Sequence, residues 1–463
     1  MEVTVSNNIY ISQPSVMMLN WCKENLIIPN PEYAKKLRMG FSTRGVPQKL
    51  SLYQMDGKNL VLPFGVLGNI VSLLEGATVY DGFVPHKPVI YPGHIPLYDY
   101  QEVAVHEAEN HLFGILQSPP GSGKTQMGIA LIQRLGRRAL WVTHTKDLLT
   151  QSRERAEQYF PKELMGEITE GRVKIGTGIT FATVQTLSKL DLTAYRNVWD
   201  VIVVDECHRV CGTPTAMSQF YKVLNNLSAR HKYGLSATVH RADGMIKATY
   251  SILGEVFYSV PEEAVAERIM KVKVRVVDTG LALSRKAFNS DGTLSYTKFI
   301  NSLVDNGERN QVILNQLSAC KGKSCLILSD RVEHLMELMD TMPLSMRADA
   351  TRVDGSMTTK RLKACREQAI KDMRSGEKKY LFATYSLAKE GLDIPRLERL
   401  FLTTPHTDYA VIAQSIGRVD RTFPGKEQPI AYDFVDYDPH SEKYFRKRCT
   451  TYRKCGCIVE RGR

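Results

Sequence analysis

Between an apolar run and a helix-like stretch, Gln126 to Arg134, lies the segment Ser118-Pro119-Pro120-Gly121-Ser122-Gly123-Lys124-Thr125. Glycines in such a loop let backbone N–H groups converge on phosphate oxygens, and the start of a helix adds partial positive charge. Pro120, Gly121, Ser122 and Gly123 would form the cradle, Lys124 would reach the β and γ phosphates of a nucleoside triphosphate, and Thr125 would ligate Mg²⁺. Ser118 stands where the general pattern has its first glycine. A second cluster, Asp205-Glu206-Cys207-His208, closes the apolar run Val201 to Val204. The carboxyl end of a strand in an open parallel sheet faces the ligand crevice, so Asp205 is placed to hold Mg²⁺ through water. Glu206 is placed to orient and deprotonate the attacking water. The third is Gln414-Ser415-Ile416-Gly417-Arg418-Val419-Asp420-Arg421, whose two arginines could neutralise charge developing on a γ phosphoryl group. Alone, two arginines at that spacing are an ordinary solvated helix face.

These groups need a frame that presents strand ends and helix starts together. Short apolar strands alternate with helical stretches at His111 to Gln117, Ala139 to Thr143, Ile179 to Thr183, Val201 to Asp205 and Tyr233 to Ser236. The rhythm returns at Ser324 to Leu328, Thr351 to Asp354, Lys379 to Thr384, Arg399 to Thr403 and Pro429 to Phe434. Two tandem α/β domains with parallel sheets follow, at 92–258 and 306–463. Residues 1–91 read as a small α+β accessory domain, with strand character at Val3 to Ile11, helical character at Val16 to Ile27 and a hairpin turn at Asp56-Gly57. Pro85, Pro88, Pro92 and Pro96 then break all periodicity. Between the large domains, 259–305 reads as a basic bridge in which Lys271, Lys273 and Arg275 alternate with Val272, Val274 and Val276. An edge strand protected by lysine is the plainer reading, and contact with nucleic acid the other.

The 463 residues suit about three domains. With 43% hydrophobic and 24% charged residues the composition is that of an ordinary globular chain with no bias towards disorder, so a folded protein is expected throughout. No apolar run is long enough to span a bilayer and no leader follows Met1, so no membrane partner and a cytoplasmic location are expected. A net charge of +12 favours a polyanionic partner. Nine scattered cysteines suit reduced thiols. Cys449, Cys455 and Cys457 with His440 lack the usual two-pair zinc spacing, and a helix starting at Asp438-Pro439 and ending at Gly456 accounts for them. Lys35, Lys36, Arg38 and Arg44 form either a solvated basic face or a duplex contact.

In their order, SPPGSGKT, DECH, Ser236-Ala237-Thr238 and QSIGRVDR resemble motifs I, II, III and VI of the superfamily two helicases. Val142 to Gln151 resembles motif Ia, Ala182 to Leu187 motif Ib, Leu326 to Leu335 motif IV and Thr384 to Pro395 motif V. Gly234 to Thr238 followed by Arg241-Ala242-Asp243-Gly244 is similar to the XPB, RadD and UvsW branch, with Ala242 replacing an acid. The resemblance implies two RecA-like P-loop domains, ATP and Mg²⁺ as substrate and cofactor, and Lys124, Asp205, Glu206, Gln414, Arg418 and Arg421 as the catalytic set. It implies that Gln101 reads the adenine edge and that Tyr98 stacks on the ring where the branch has arginine. Gly391 and Asp393 would link strand contacts to the nucleotide, and His208 would link the DECH loop to Ser236 and Thr238. Lys146, Thr183, Arg331 and Thr384 would touch the nucleic-acid backbone, contacts that position without reading sequence.

The implied activity is that of an ATP-dependent DNA helicase or translocase in repair, recombination or replication, in the nucleoid or in a phage-infected host. Its partner would be single-stranded, duplex or branched DNA in preference to RNA, with a nuclease or a replication or repair protein as a further partner. The rivals are an RNA helicase and an ATP-gated clamp that recruits a nuclease.

Overall fold

The computed structural model describes all residues except 214–217, 238, 240–243, 267–268, 356, 358, 390–391, 393 and 462–463. The chain divides into two compact units, Met1–Ala264 and Val265–Arg463.

In the first unit an eight-stranded sheet runs in the order Arg172–Lys174, Met165–Thr169, Ile179–Thr183, Ala139–Thr143, Val201–Asp205, His231–Ser236, Phe113–Gln117, Val256–Ser259. All its neighbours are parallel except the outer pair, Arg172–Lys174 with Met165–Thr169. Every residue of Ala139–Thr143, Ile179–Thr183 and Val201–Asp205 is buried, as strands covered on both faces require. Parallel strands put their carboxyl ends on one edge, so the loops after Gln117, Thr143, Thr183, Asp205 and Ser236 gather there.

Residues 1–81 fold on their own five-stranded sheet, in the order Gln54–Asp56, Asn59–Pro63, Asn8–Ser12, Glu2–Val5, Thr78–Asp81. The run expected as one strand from Val3 to Ile11 is a hairpin, Glu2–Val5 against Asn8–Ser12. The Asp56-Gly57 turn closes a second hairpin, with Asp56 paired to Asn59 and Gly57 at a φ of 58°. The proline-rich stretch after Asp81 lies along the larger sheet. There His86 Nδ1 meets Asp200 at 2.9 Å, and the Tyr91 hydroxyl donates to the carbonyl of Arg137 at 2.8 Å.

The accessory sheet is docked without slack. Phe64 packs edge-on against Phe113 with ring centres 4.9 Å apart. Gly65 lies so close to the neighbouring helix end that an added Cβ would sit 2.4 Å from both the Gly254 nitrogen and the Tyr250 oxygen. Lys232, with no exposed surface, donates to the carbonyls of Leu224 at 3.0 Å and Asn7 at 3.3 Å, and its Nζ lies 4.9 Å from the centre of the Phe64 ring. Burial pushes its ammonium down to about 7.

Because the folded value lies below the unfolded one, the unfolded chain holds the extra proton between about pH 7 and about pH 10.4. Stability therefore rises with pH across that window. Relative to Lys232→Met, which carries no such proton, the wild type is expected to gain about 1–3 kcal/mol from pH 7 to pH 10 in denaturant unfolding. Parallel pH profiles of the two proteins would refute it.

The second unit carries a seven-stranded, wholly parallel sheet in the order Ala350–Val353, Tyr380–Thr384, Cys325–Ser329, Arg399–Leu402, Ile430–Val435, Lys273–Asp278, Ile458–Arg461. The basic alternating segment is thus a strand of this sheet rather than part of a free-standing bridge, and it is not at the edge. Ile430–Val435 flanks it on one side and Ile458–Arg461 on the other. Its valines 274 and 276 are buried, Lys273 pairs with Glu460 at 2.9 Å, and the Arg275 guanidinium lies 5.6 Å from the centre of the Tyr432 ring. The terminal helix Pro439–Lys454 is capped by the Asp438 side chain, which accepts from the N–H groups of His440 and Ser441. Cys449, Cys455 and Cys457 pack on this unit's core.

Candidate ATP-hydrolysis site

The strand Phe113–Gln117 delivers the chain to the loop, where the Ser118 N–H donates to the Ser236 carbonyl at 2.9 Å. Gly121 and Gly123 adopt φ of 77° and 80°, the left-handed region that a residue with a side chain enters only with strain. Gly123 has a second reason to lack a side chain, since a Cβ there would lie 2.5 Å from Gln101 Nε2. The helix Lys124–Leu135 follows at once, with its first N–H groups turned to the loop. Ser118, the departure from the usual glycine, is fully buried and its hydroxyl bonds the Ser122 hydroxyl at 2.5 Å. Lys124 Nζ lies 3.5 Å from the Ser118 carbonyl, folded over the loop.

Two residues of the helix Asp99–Glu109 hold the loop from behind. Tyr100 donates its hydroxyl to the Ser122 carbonyl at 3.0 Å, and Gln101 Nε2 donates to the same carbonyl at 2.7 Å. Gln101 Oε1 accepts from the Tyr98 N–H at 3.0 Å. An amide has four bonding positions, so these contacts leave Gln101 capacity towards a base edge although it is only 4% exposed. Tyr98 is half exposed, its ring 6.0 Å from that of Tyr100 and near parallel to it. The supporting roles of Tyr100 and Ser118 escaped the sequence reading. Tyr100 sits beside Gln101 in the first turn of a helix aimed at the loop, which was the available signal.

Asp205 ends its strand with a buried side chain, separated from the phosphate-loop strand by His231–Ser236 alone. Burial and the neighbouring Glu206 carboxylate push Asp205 up, while the Lys124 ammonium draws it down. A buried carboxylate pushed this way is stabilised by a cation, so Asp205 together with Thr125 in the first helical turn fits a magnesium ion. Glu206 takes a φ of 51° and a ψ of 49°, a left-handed conformation costing about 1–2 kcal/mol in a residue with a side chain. Its N–H donates to Asp205 Oδ1 at 3.0 Å. His208 Nδ1 lies 3.3 Å from Glu206 Oε2 and 3.2 Å from the Ser236 hydroxyl, joining the acidic loop to the next strand end. Gly234 makes room for this loop, since a Cβ there would meet Cys207 Sγ at 2.6 Å.

The backbone-contact candidates lie at strand ends. Thr183 and Thr143 are cross-strand partners; Thr183 bonds Thr186 at 3.0 Å, and Lys146, at the start of the next helix, pairs with Glu170 at 2.9 Å. In the second unit Ser329 and Thr384 are cross-strand partners. Thr384 bonds Ser386 at 3.1 Å, and Arg331 Nε donates to Asn301 at 3.0 Å. Gln414 is half-buried on the helix Tyr409–Ile416, and Arg418 donates to the Leu392 carbonyl at 3.3 Å. Asp420, between the two arginines in sequence, is buried; burial pushes its carboxyl up to about 6, opposed by Arg421, Lys426 and Arg418. Thr238, Arg241, Ala242, Asp243, Gly391 and Asp393 lie outside the described residues.

Two family models match the chain, the type III restriction enzyme res subunit over residues 94–241 and the helicase conserved C-terminal domain over 308–422. A mimivirus protein named a putative ATP-dependent RNA helicase is 27% identical over 73% of this chain and 63% of its own length. A Sulfurisphaera tokodaii protein named DNA 3'-5' translocase XPB2 is 23% identical over 71% of this chain and 79% of its own. The chain thus spans a little under two thirds of the first relative and about four fifths of the second. In fold it is similar to S. cerevisiae Dbp5 bound to RNA and ADP BeF3, with a TM-score of 0.57, 17% identity, and 87% of this chain and 94% of that one covered. Each large sheet with its helices is a RecA-like domain, and the chain belongs to the superfamily two helicases, enzymes that depend on ATP.

Proposed function

We propose that this chain is a DNA-stimulated ATPase that converts hydrolysis into movement along, or remodelling of, a DNA strand. The observation that carries the reading is the meeting of Lys124, Asp205 and Glu206 at one sheet edge, with a strained backbone at Glu206. Lys124 and the glycine-rich loop bind the triphosphate, Gln101 and Tyr98 meet the adenine, and Glu206 takes the proton of the attacking water. Thr125 and Asp205 would hold Mg²⁺, which supplies charge neutralisation at the β and γ oxygens when bound. Gln414, Arg418 and Arg421 supply polar and positive groups to the phosphoryl being transferred, and Gly391 and Asp393 link strand contacts to the nucleotide. Lys146, Thr183, Arg331 and Thr384 bind strand phosphates, giving up bonds such as Lys146 to Glu170, which is exposed and exchanges readily.

DNA is favoured over RNA by the motif III region shared with the XPB-like branch and by the Sulfurisphaera relative, whose name gives DNA. The mimivirus relative, whose name gives RNA, keeps the second reading in play. Matched single strands of DNA and RNA decide between them. ATP turnover is expected to rise on DNA at least several-fold more than on RNA, and to vanish in both cases in Lys124→Ala. Stimulation by RNA alone would reverse the assignment.

A further inference from the structure

The accessory domain carries a segment that its own fold does not use. The strands Ile27–Pro29 and Lys49–Ser51 pair as a two-stranded ribbon, rooted by the buried side chains of Ile28 and Leu50. Asn30 clamps the neck, its N–H donating to Gln48 at 3.0 Å and its side chain to Pro47 at 2.8 Å. From this stem rises the helix Pro31–Arg38, capped by Asn30, followed by a turn in which the Phe41 N–H bonds the Lys36 carbonyl at 2.9 Å. No residue from 31 to 49 is buried. Leu37, Met39 and Phe41 are 64%, 55% and 61% exposed on consecutive alternate positions. The segment carries five basic side chains against Glu32 alone, and Glu32 is occupied by Lys36 at 3.0 Å.

A stem built to the standard of a core, holding an apolar tip in water, marks a surface made for a partner. Its charge specifies a polyanion, and a row of flat or flexible apolar side chains among cations matches a base stack flanked by phosphates. We propose that this arm grips duplex nucleic acid through Lys35, Arg38 and Arg44 and inserts Phe41 and Met39 into the base stack at the point where strands part. The inference rests on the helicase reading and supplies it with a strand-separating element. Apolar side chains of these types unstack base steps at a cost of a few kcal/mol per step, which phosphate contacts offset.

The test uses the full chain and a forked DNA carrying 2-aminopurine at the junction. Lys35→Gln with Arg38→Gln and Arg44→Gln is expected to weaken fork binding about 10- to 100-fold near physiological salt and to lower the salt slope by about 2–3, roughly 0.9 per lost phosphate contact. ATP turnover on single strands should stay within about twofold, since none of the three belongs to the ATP site. Met39→Ala with Phe41→Ala is expected to keep fork binding within about threefold yet lose most of the 2-aminopurine fluorescence rise and of the strand separation. Because these side chains are exposed, both variants should melt with the wild type.

Unchanged fork affinity and salt slope in the basic variant would overturn the proposal. So would lost binding to anionic phosphatidylserine vesicles or to an acidic polypeptide with fork binding intact, which would assign the arm to another partner. A wild type with strand-stimulated turnover and no preference for forks would sink the arm alone. One with no strand-stimulated turnover would sink the underlying helicase reading as well.

Discussion

Glu206→Gln is expected to bind ATP as tightly as the wild type and to turn it over about 10²- to 10⁴-fold more slowly. The amide keeps the shape of the side chain and can still orient water, but it cannot take the proton that leaves when water attacks. The left-handed backbone at this position is set by the loop between the strand Val201–Asp205 and the buried Cys207, so the substitution leaves the aim of the side chain intact. Phosphate release reads the rate, and titration with a fluorescent ATP analogue reads the binding. A variant within tenfold of the wild-type rate would remove Glu206 from the chemistry. A variant that stops turnover but retains biological activity would favour an ATP-gated clamp over a motor. Lys124→Ala differs in kind, since it should lose nucleotide affinity as well as rate.

Replacing Arg418 and Arg421 together by alanine should lower kcat by about 10³- to 10⁵-fold, the range of arginine groups that stabilise phosphoryl transfer, with a much smaller change in KM. The buried Asp420 complicates the alanine pair, because both guanidiniums help keep that carboxyl ionised. Without them its acidity falls and the local fold is weakened. The lysine pair separates these effects: it restores the charge around Asp420 but lacks the planar fork, so it should recover the melting temperature and only part of the rate. Full recovery of kcat by lysine would mean that charge alone is needed. An unchanged kcat in the alanine pair would exclude both arginines from the phosphoryl group.

Ala139–Thr143, Ile179–Thr183 and Val201–Asp205 were readable to the residue because strands buried on both faces are mostly apolar along their length, with only threonines and the terminal Asp205 departing from that here. Met165–Thr169 was not, since Gly166 and the half-exposed Glu167 interrupt its apolar run near the sheet's outer side. Lys273–Asp278 was legible as a strand from its alternation, but its place in the sheet was not. The strand that covers it, Ile458–Arg461, comes from the far end of the chain, and nothing local announces a partner so distant in sequence.

The same division runs through the site. A phosphate loop is a local device, its glycines and lysine adjacent in sequence, so its residues announce themselves. Tyr100, reaching the Ser122 carbonyl from another helix, belongs to tertiary packing and carries no motif of its own. Single residues such as Thr183 and Arg331 have hydrogen-bond partners within the chain, and their side chains alone do not separate a structural role from a strand contact.

At Gly65 the accessory sheet meets the helix end at Gly254 with no space for even a methyl group. Gly254 is itself pressed on the start of the strand Phe113–Gln117, where a Cβ on it would lie 2.6 Å from the Phe113 ring and 3.1 Å from the Gly114 Cα, so the seam grips the end of that strand opposite the phosphate loop. A side chain at residue 65 would have to displace backbone on one side of that seam, so Gly65→Ala is expected to lower the melting temperature.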